Sequence, residues 1–148
     1  MNLSRSFVLC CMGFALWLNA AAAQQQVVLV ASSASTLNDL DSIQLRKIYL
    51  GFEITHDGTA IKALRNNTDG QLNNIFLQTV VAMSEKAYTR RQLSLTLRHG
   101  IPRIAEFDNL ETLFRALERN PYSITYMWKK DAERRQDVRI LRVLWEQQ

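Results

Sequence analysis

The sequence predicts an α/β domain in which a parallel or mixed sheet is covered by helices. Short runs rich in β-branched residues alternate with longer segments whose apolar residues recur every three or four positions. The short runs are typical of buried strands, and the longer segments are typical of amphipathic helices. Capping residues, glycine and proline separate the two kinds of segment. Strands separated by helices favour a sheet with helices on both faces.

Residues 1–23 have the pattern of a secretory signal peptide and are set aside from the fold. Arg5 precedes an apolar run at 7–18, and small residues follow that run up to Ala23. Because the run is shorter than the roughly 20 residues of a membrane span, we predict cleavage after Ala23, export to the periplasm and no stable membrane insertion afterwards. Both cysteines, Cys10 and Cys11, leave with this segment, so the exported chain has no disulfide.

Residues 24–148 have an ordinary length for one domain, and we predict one. The formal net charge of the whole sequence is +4, and acids are interspersed among the bases. We therefore expect no nucleic-acid partner. His56 and His99 lack a second ligand at metal-binding spacing, and P-loop, dinucleotide and nucleophile-elbow motifs are missing from the sequence. These observations predict a binding protein without catalysis, metal or cofactor.

The first half of the predicted domain starts with a strand at 27–30. Residues 41–44 have the spacing of a capping box, and Gly51 is placed to end the short helix that follows. Residues 57–58 (Asp-Gly) predict a turn, and residues 60–64 predict a second strand that leads to Arg65. The side chains expected to form the buried stripe of the helix are Ile43, Leu45, Ile48 and Tyr49.

The second half contains three predicted helices and two predicted strands. Thr68 or Asp69 is a natural N-cap for a helix that runs to about Met83, and Ser84 caps a further helix through Leu97. Residues 108–111 repeat the capping-box spacing before a helix that Asn120-Pro121 stops. The apolar positions expected to share one face of the first of these helices are Leu72, Ile75, Phe76, Thr79 and Val80. The predicted strands are 123–127 and 138–144.

Three stretches stand in order along the chain: 45–51 (LRKIYLG), 57–61 (DGTAI) and 120–126 (NPYSITY). Together they resemble the phosphate-binding periplasmic subunits of ABC transporters, and especially their small single-domain relatives. The resemblance implies a periplasmic-binding-protein-like fold, a small anion or other small ligand, and an ABC permease as partner. The third stretch departs from the Pro-Gly-Ala-Ile-Gly-Tyr of the family, since Tyr122 and Thr125 replace its two glycines.

In that family an arginine, followed after three residues by Ser-Gly-Thr, opens a helix and binds phosphate. The same spacing here gives Arg65 followed by Asp69, Gly70 and Gln71. A helix N-terminus suits an anion, but a carboxylate beside a desolvated dianionic phosphate repels it by several kcal/mol at an effective dielectric constant of about 20. We therefore interpret this stretch as a degenerate phosphate motif.

Two hypotheses describe this stretch. In the first, Asp69 is a helix N-cap that contributes ~1 kcal/mol, and Arg65 is its ion-pair partner on the surface. In the second, the stretch lines a polar pocket together with the loop after the first strand, because ligands gather beyond the carboxyl ends of strands. The predicted ligand-binding residues are Arg65, Thr68, Asp69, Gly70, Gln71, Ser32 and Ser33, with Ser35 and Thr36 beside them.

An alternative function is a periplasmic interaction module that kept the fold and lost the ligand. It would bind another envelope protein through a basic surface that contains Trp128, Lys129 and Lys130. The aromatic residues Tyr88, Trp128 and Trp145 are otherwise expected to pack in the core or at an edge.

Overall fold

The computed structural model describes residues 24–148, and the predicted signal peptide lies outside them. The strands are β1 (Gln26–Ser32), β2 (Thr55–His56), β3 (Thr59–Ala60), β4 (Lys62–Asn66), β5 (Ala105–Phe107), β6 (Ser123–Trp128) and β7 (Val138–Glu146). The helices are α1 (Ser42–Tyr49), α2 (Gly70–Phe76), α3 (Glu85–His99), α4 (Leu110–Arg119) and α5 (Lys129–Ala132), and a π-helical segment, Leu77–Val81, continues α2. Within the described residues, no helix has the length and apolar character to span a bilayer.

Five strands form one mixed sheet in the order β5-β4-β6-β1-β7. Strand β4 is parallel to β5 and β6, whereas β1 is antiparallel to β6 and β7. The two short strands β2 and β3 form a separate hairpin, and its predicted turn is confirmed. Asp57 and Gly58 both have positive φ there, as a tight hairpin turn requires.

Helices cover both faces of the sheet, as predicted for an α/β fold. Val27, Leu29 and Ala31 of β1 face the core that contains α1 and α2, and Val28 and Val30 face the core that contains α4. Every one of these five side chains is buried. The continuous apolar run is therefore the consequence of a strand with a core on each side.

Helix α1 confirms its predicted capping box, in which Asp41 accepts a hydrogen bond from the Gln44 amide and the Gln44 side chain accepts one from the Asp41 amide. Gly51 follows the helix with φ of +89°. The assignment of Ile43 to the buried stripe was wrong, because its side chain is 67% exposed. At about 3.6 residues per turn, Ile43 lies on the side of α1 opposite the buried Leu45, Ile48 and Tyr49.

The helix predicted to reach Met83 is interrupted by the π-helical segment. A π-turn has one more residue than an α-turn, so the buried face shifts along the sequence. Leu77 and Val81 are buried, whereas Thr79, which was predicted to be on the apolar face, is exposed. Ala82 ends the segment in the left-handed conformation.

Four details differ from the prediction. The strand predicted at 60–64 is divided between β3 and β4, because Ile61 donates its amide hydrogen bond to Ile54 outside the main sheet. Helix α4 is capped by Asn109 rather than Asp108. Strand β5 and helix α5 were not predicted, since each has four residues or fewer and is too short for a periodic pattern.

Candidate functional site

Arg65 lies near the end of β4 and is the largest of the fully buried side chains, with 1% of its surface exposed. Its guanidinium lies on the face of the sheet that α2 and α3 cover. A buried cation needs compensating partners, because desolvation strongly disfavours an isolated charge. Its environment therefore determines what this site can bind.

Two carboxylates hold the guanidinium. Arg65 Nη1 donates to Glu106 Oε1 at 2.8 Å, and Nη2 donates to Glu85 Oε2 at 3.0 Å. Glu106 comes from β5 and Glu85 from the first turn of α3. The hypothesis of a surface ion pair between Arg65 and Asp69 was wrong. Arg65 is buried, and its ion-pair partners are Glu85 and Glu106.

Neutral side chains complete this cluster. Asn73 Oδ1 accepts hydrogen bonds from Arg65 Nη2 at 2.8 Å and from the Tyr126 hydroxyl at 2.9 Å, while Asn73 Nδ2 donates to Glu85 at 2.6 Å. The guanidinium carbon also lies 4.8 Å from the centre of the Tyr88 ring, a cation–π geometry. Arg65 Nε is buried and has no hydrogen-bond partner among the described residues. We call these six residues, Arg65, Asn73, Glu85, Tyr88, Glu106 and Tyr126, the Arg65 cluster.

The pKa shifts of the Arg65 cluster are those expected when buried charges are paired with each other. Burial lowers the pKa of Arg65, but Tyr126, Glu85 and Glu106 more than offset it, and the pKa is raised above its ordinary value. Burial raises the pKa of Glu85, but hydrogen bonds from Asn73 and Arg65 outweigh it and lower the pKa overall. Burial raises the pKa of Tyr126 to about 12. Arg65 and Glu85 are therefore both ionised at neutral pH, and Tyr126 is neutral.

Asp69 is the N-cap of α2, as predicted. Its Oδ1 accepts hydrogen bonds from the amides of Gln71 at 2.8 Å and Leu72 at 3.1 Å, and its Oδ2 accepts one from the indole of Trp128 at 3.0 Å. The Trp128 hydrogen bond, with help from the two amides, lowers the pKa of Asp69. The amides at this helix end that could have bound an anion are thus bonded to a carboxylate of the chain itself.

The other predicted residues of this stretch lie next to Asp69. The amide and hydroxyl of Thr68 both donate to Asn66 Oδ1, at 3.1 and 2.6 Å. Gly70 and Gln71 are exposed, and a Cβ added at Gly70 would meet open space. Gly70 therefore has no close backbone contact within the protein that requires a glycine, and ligand binding by Thr68, Gly70 and Gln71 stays a prediction.

Ser32 and Ser33 lie at the opposite end of the sheet from Arg65. Ala31 of β1 and Ala63 of β4 are both register partners of Ile124 in β6. From that level β1 continues to Ser32 in one direction, and the oppositely directed β4 continues to Arg65 in the other. The expectation of one pocket that combines the serines with Arg65 was therefore wrong.

The serine loop makes its own local hydrogen bonds. Buried Ser32 accepts from the amide of Ala34, and buried Ser35 accepts from the amide of Leu37. Ser33 and Thr36 are exposed. These contacts are those of a turn.

Sequence reasoning missed Asn73, Glu85 and Glu106. Asn73 carried a signal, since it is a polar residue beside Leu72 on the apolar face of α2, and it is buried. Glu85 resembled an ordinary first-turn acid that favours the helix dipole. Glu106 lies on a strand of three residues, for which no local pattern exists.

The predicted interaction surface around Trp128 also changes. Trp128 is 6% exposed, and its ring packs edge-on at 6.5 Å from Trp145, so this residue packs in the core rather than forming a contact surface. Tyr88 is buried as expected. In the part of the chain that the structure describes, no group of three or more His, Cys, Asp or Glu side chains is placed to hold a metal ion.

No protein-family model and no curated protein sequence matches the chain. Several solved structures resemble it in fold, and two of them are phosphate receptors. An ABC-type phosphate transport receptor from Vibrio cholerae has a TM-score of 0.59 and 12% identity, and it aligns over 80% of this chain and 46% of its own. PstS from Borrelia burgdorferi has a TM-score of 0.54 and 9% identity, over 75% of this chain and 43% of its own. The chain thus spans less than half the length of either structure, and within that span its α/β fold is similar to that of these two receptors.

Proposed function

We propose that the protein is an exported, non-catalytic binding protein of the periplasm whose ligand is not a phosphate held at Arg65. The receptor-like fold supports a binding role. The Arg65 cluster is the observation that argues against phosphate. By resemblance the Arg65 guanidinium would bind an anion, but it already binds Glu85 and Glu106. An ABC permease or another envelope protein would be its macromolecular partner.

Electrostatics supports this restriction. An anion at Arg65 would either displace both glutamates or stand beside them. Two unit charges of the same sign 4 Å apart repel by about 4 kcal/mol at an effective dielectric constant of about 20, and a dianion doubles the charge. Asp69 adds a further carboxylate at the end of α2. A phosphate at this site would be repelled by three carboxylates and attracted by one arginine.

Nuclear magnetic resonance can test the restriction on phosphate. With phosphate at millimolar concentration, we expect the Arg65 Nε–H and Gly70 amide resonances to stay in place. A saturable shift of both resonances, or a crystal with phosphate seated against them, would refute the restriction. Calorimetric titrations with sulfate, small carboxylates and neutral solutes test the binding role, and the absence of any heat at millimolar ligand counts against it.

A second candidate function, an interaction module, is favoured by the outer face of α3. This helix buries only Tyr88 and Gln92, while Leu93 and Leu97 are 48% and 76% exposed. At helical spacing Lys86 and Arg90 share that face. Exposed leucines beside cations mark a contact surface for a partner with an acidic rim.

Crosslinking in living cells can separate the two functions. Leu93→Ser/Leu97→Ser should abolish a crosslinked envelope partner if α3 is the contact surface. Lys129→Glu/Lys130→Glu changes the basic surface predicted from the sequence and should then leave the partner in place. If both variants keep the same partners as the unmodified protein, the α3 surface is refuted.

A further inference from the structure

A groove on the other face of the sheet lies outside the Arg65 cluster and outside α3. It runs between α4 and the edge formed by β4 and β5, and it encloses about 350 Å³. Leu64, Phe107 and Ala116 provide an apolar floor. This volume and this kind of floor are typical of sites for small organic ligands.

Three cations line the groove: Lys62, Arg115 and Arg119. Lys62 begins β4, and its register partner in β6 is the buried Ser123, which also lines the groove. Arg115 and Arg119 are one helical turn apart on α4. Within residues 24–148, none of the three cations forms a salt bridge with a carboxylate, although Glu111 of α4 pairs with Arg135.

The charges of α4 are segregated. Glu111 could pair with Arg115 at i,i+4 spacing, but its carboxylate binds Arg135 at 3.4 Å. Among the residues that the structure describes, Arg115 Nε donates only to the Glu111 carbonyl. The Glu111 carboxylate is therefore directed to Arg135, whereas Arg115 and Arg119 line the groove.

Such an arrangement leaves a local excess of positive charge. Like charges one turn apart on a helix repel each other, and a concave surface with an apolar floor focuses their field. An anion in the groove would relieve this repulsion. Guanidinium groups bind phosphate oxygens in a bidentate manner, so two arginines and a lysine suit a dianion.

We propose that this groove binds a small molecule that carries a phosphate monoester on an apolar body. The phosphate contacts Arg115, Arg119 and Lys62, and the apolar body lies on Leu64 and Phe107. This inference extends the proposed function, because it gives the binding protein a ligand class and a site that is separate from Arg65.

Calorimetry with phenyl phosphate at low salt tests the inference. We expect saturable binding that Arg115→Gln/Arg119→Gln weakens at least about tenfold, since charge-assisted hydrogen bonds are lost. Lys62→Gln should weaken it less, because a lysine gives a single point contact. The matched control is Arg46→Gln/Arg98→Gln, which removes the same charge from exposed positions of α1 and α3 and should leave the affinity unchanged. Circular dichroism verifies that each variant is folded.

Further arms identify the source of the phosphate and the role of the apolar floor. Inorganic phosphate should bind more weakly than phenyl phosphate, because it has no apolar body to contact Leu64 and Phe107. Equal affinities would refute the role of the apolar floor. Sedimentation with phosphatidic acid vesicles distinguishes a lipid from a soluble ligand, and binding to either probe that depends on Arg115 and Arg119 supports the groove.

Two results overturn the inference. If phenyl phosphate and the vesicles both fail to bind, or if the Arg46→Gln/Arg98→Gln control weakens binding as much as the α4 variant, the groove is not the site. In either case the proposed function stands if another solute of the calorimetric panel binds, so the two failures are distinguishable.

Discussion

The buried guanidinium of Arg65 is paired with two carboxylates of the same chain, those of Glu85 and Glu106. The arginine is fully buried, whereas the side chains of Glu85 and Glu106 are 45% and 38% exposed. Water therefore still solvates the acids but not the base. The desolvation cost falls mainly on Arg65, and it is the arginine that depends on its partners.

This asymmetry predicts the effect of removing the acids. Glu85→Gln/Glu106→Gln should lower the free energy of unfolding by about 3 kcal/mol, because it leaves a buried charge without compensation. Urea denaturation measures the loss. Glu111→Gln/Glu133→Gln is the control at exposed ion pairs and should cost less than about 1 kcal/mol. Equal losses in the two double variants would mean that Arg65 does not need its acids.

The acids also predict how stability depends on pH. The Arg135 hydrogen bond lowers the pKa of Asp137 from its ordinary value of 3.8 to about 2, and the pKa of Glu85 is lowered from 4.5. A depressed pKa in the folded state stabilises the protein above the unfolded value, and this stabilisation is lost as the pH falls through the folded value. Urea midpoints should therefore fall from about pH 4.5 towards pH 2.

A variant isolates the Asp137 contribution. Asp137→Asn should flatten this pH profile most strongly between pH 3.8 and about pH 2, because the linked stability is lost between the unfolded and the folded pKa of Asp137. A profile that is flat below pH 4.5 in the unmodified protein would contradict both assignments.

At the scale of elements, Asp69 joins α2 to β6. One carboxylate oxygen caps the helix, and the other accepts the indole N–H of Trp128 at the end of β6. The cap could be predicted from the sequence, because it depends on residues two and three positions away. The hydrogen bond from the Trp128 indole joins residues 59 positions apart, and no local pattern predicts it.

The two roles of Asp69 can be separated by substitution. Asp69→Ala should cost about 2 kcal/mol, since the cap contributes about 1 kcal/mol and a buried indole donor without a partner costs at least as much. Asp69→Asn should cost about half of that, because Asn caps a helix well but has only one acceptor oxygen.

Asp41→Ala is the matched control, since Asp41 caps α1 in an exposed capping box without an indole. It should cost about 1 kcal/mol and leave the tryptophan fluorescence unchanged. If Asp69→Ala costs no more than Asp41→Ala and does not shift the emission, the Trp128 contact does not stabilise the protein.

At the scale of the whole molecule, the sheet order places β6 and β1 in the centre and β5 and β7 at the edges. Both central strands are buried along most of their length, whereas β7 exposes several side chains, among them Ile140 and Val143. Edge strands open more readily than central strands, because fewer buried contacts are lost.

Amide hydrogen exchange should reflect this order. We expect the amides of β1 and β6 to exchange only with global unfolding, and those of β5 and β7 to exchange faster through local opening. Mass spectrometry of proteolytic peptides can resolve the strands. Exchange from β7 as slow as that from β1 would show that the sheet opens only as one unit.

The sequence by itself determined the local elements of this protein. The caps at Asp41, Asp69 and Ser84, the buried strand β1 and the α/β class with a mixed or parallel sheet all follow from hydrogen bonds and burial patterns within a few residues. Such signals are complete in a short window, so they survive without knowledge of the rest of the chain. The resemblance to phosphate receptors also rested on short stretches, and the fold agrees with it.

Only the tertiary structure decided which side chains meet. The residues of a strand do not determine its direction in the sheet. Because β1 is antiparallel to β6 and β4 is parallel to it, Ser32 lies at the end of the sheet opposite Arg65. The acids that bind Arg65 are 20 and 41 residues away, and the cations of the α4 groove come from a strand and a helix far apart in sequence. Contacts of this kind depend on how whole elements pack, because no local pattern records the partner of a buried charge.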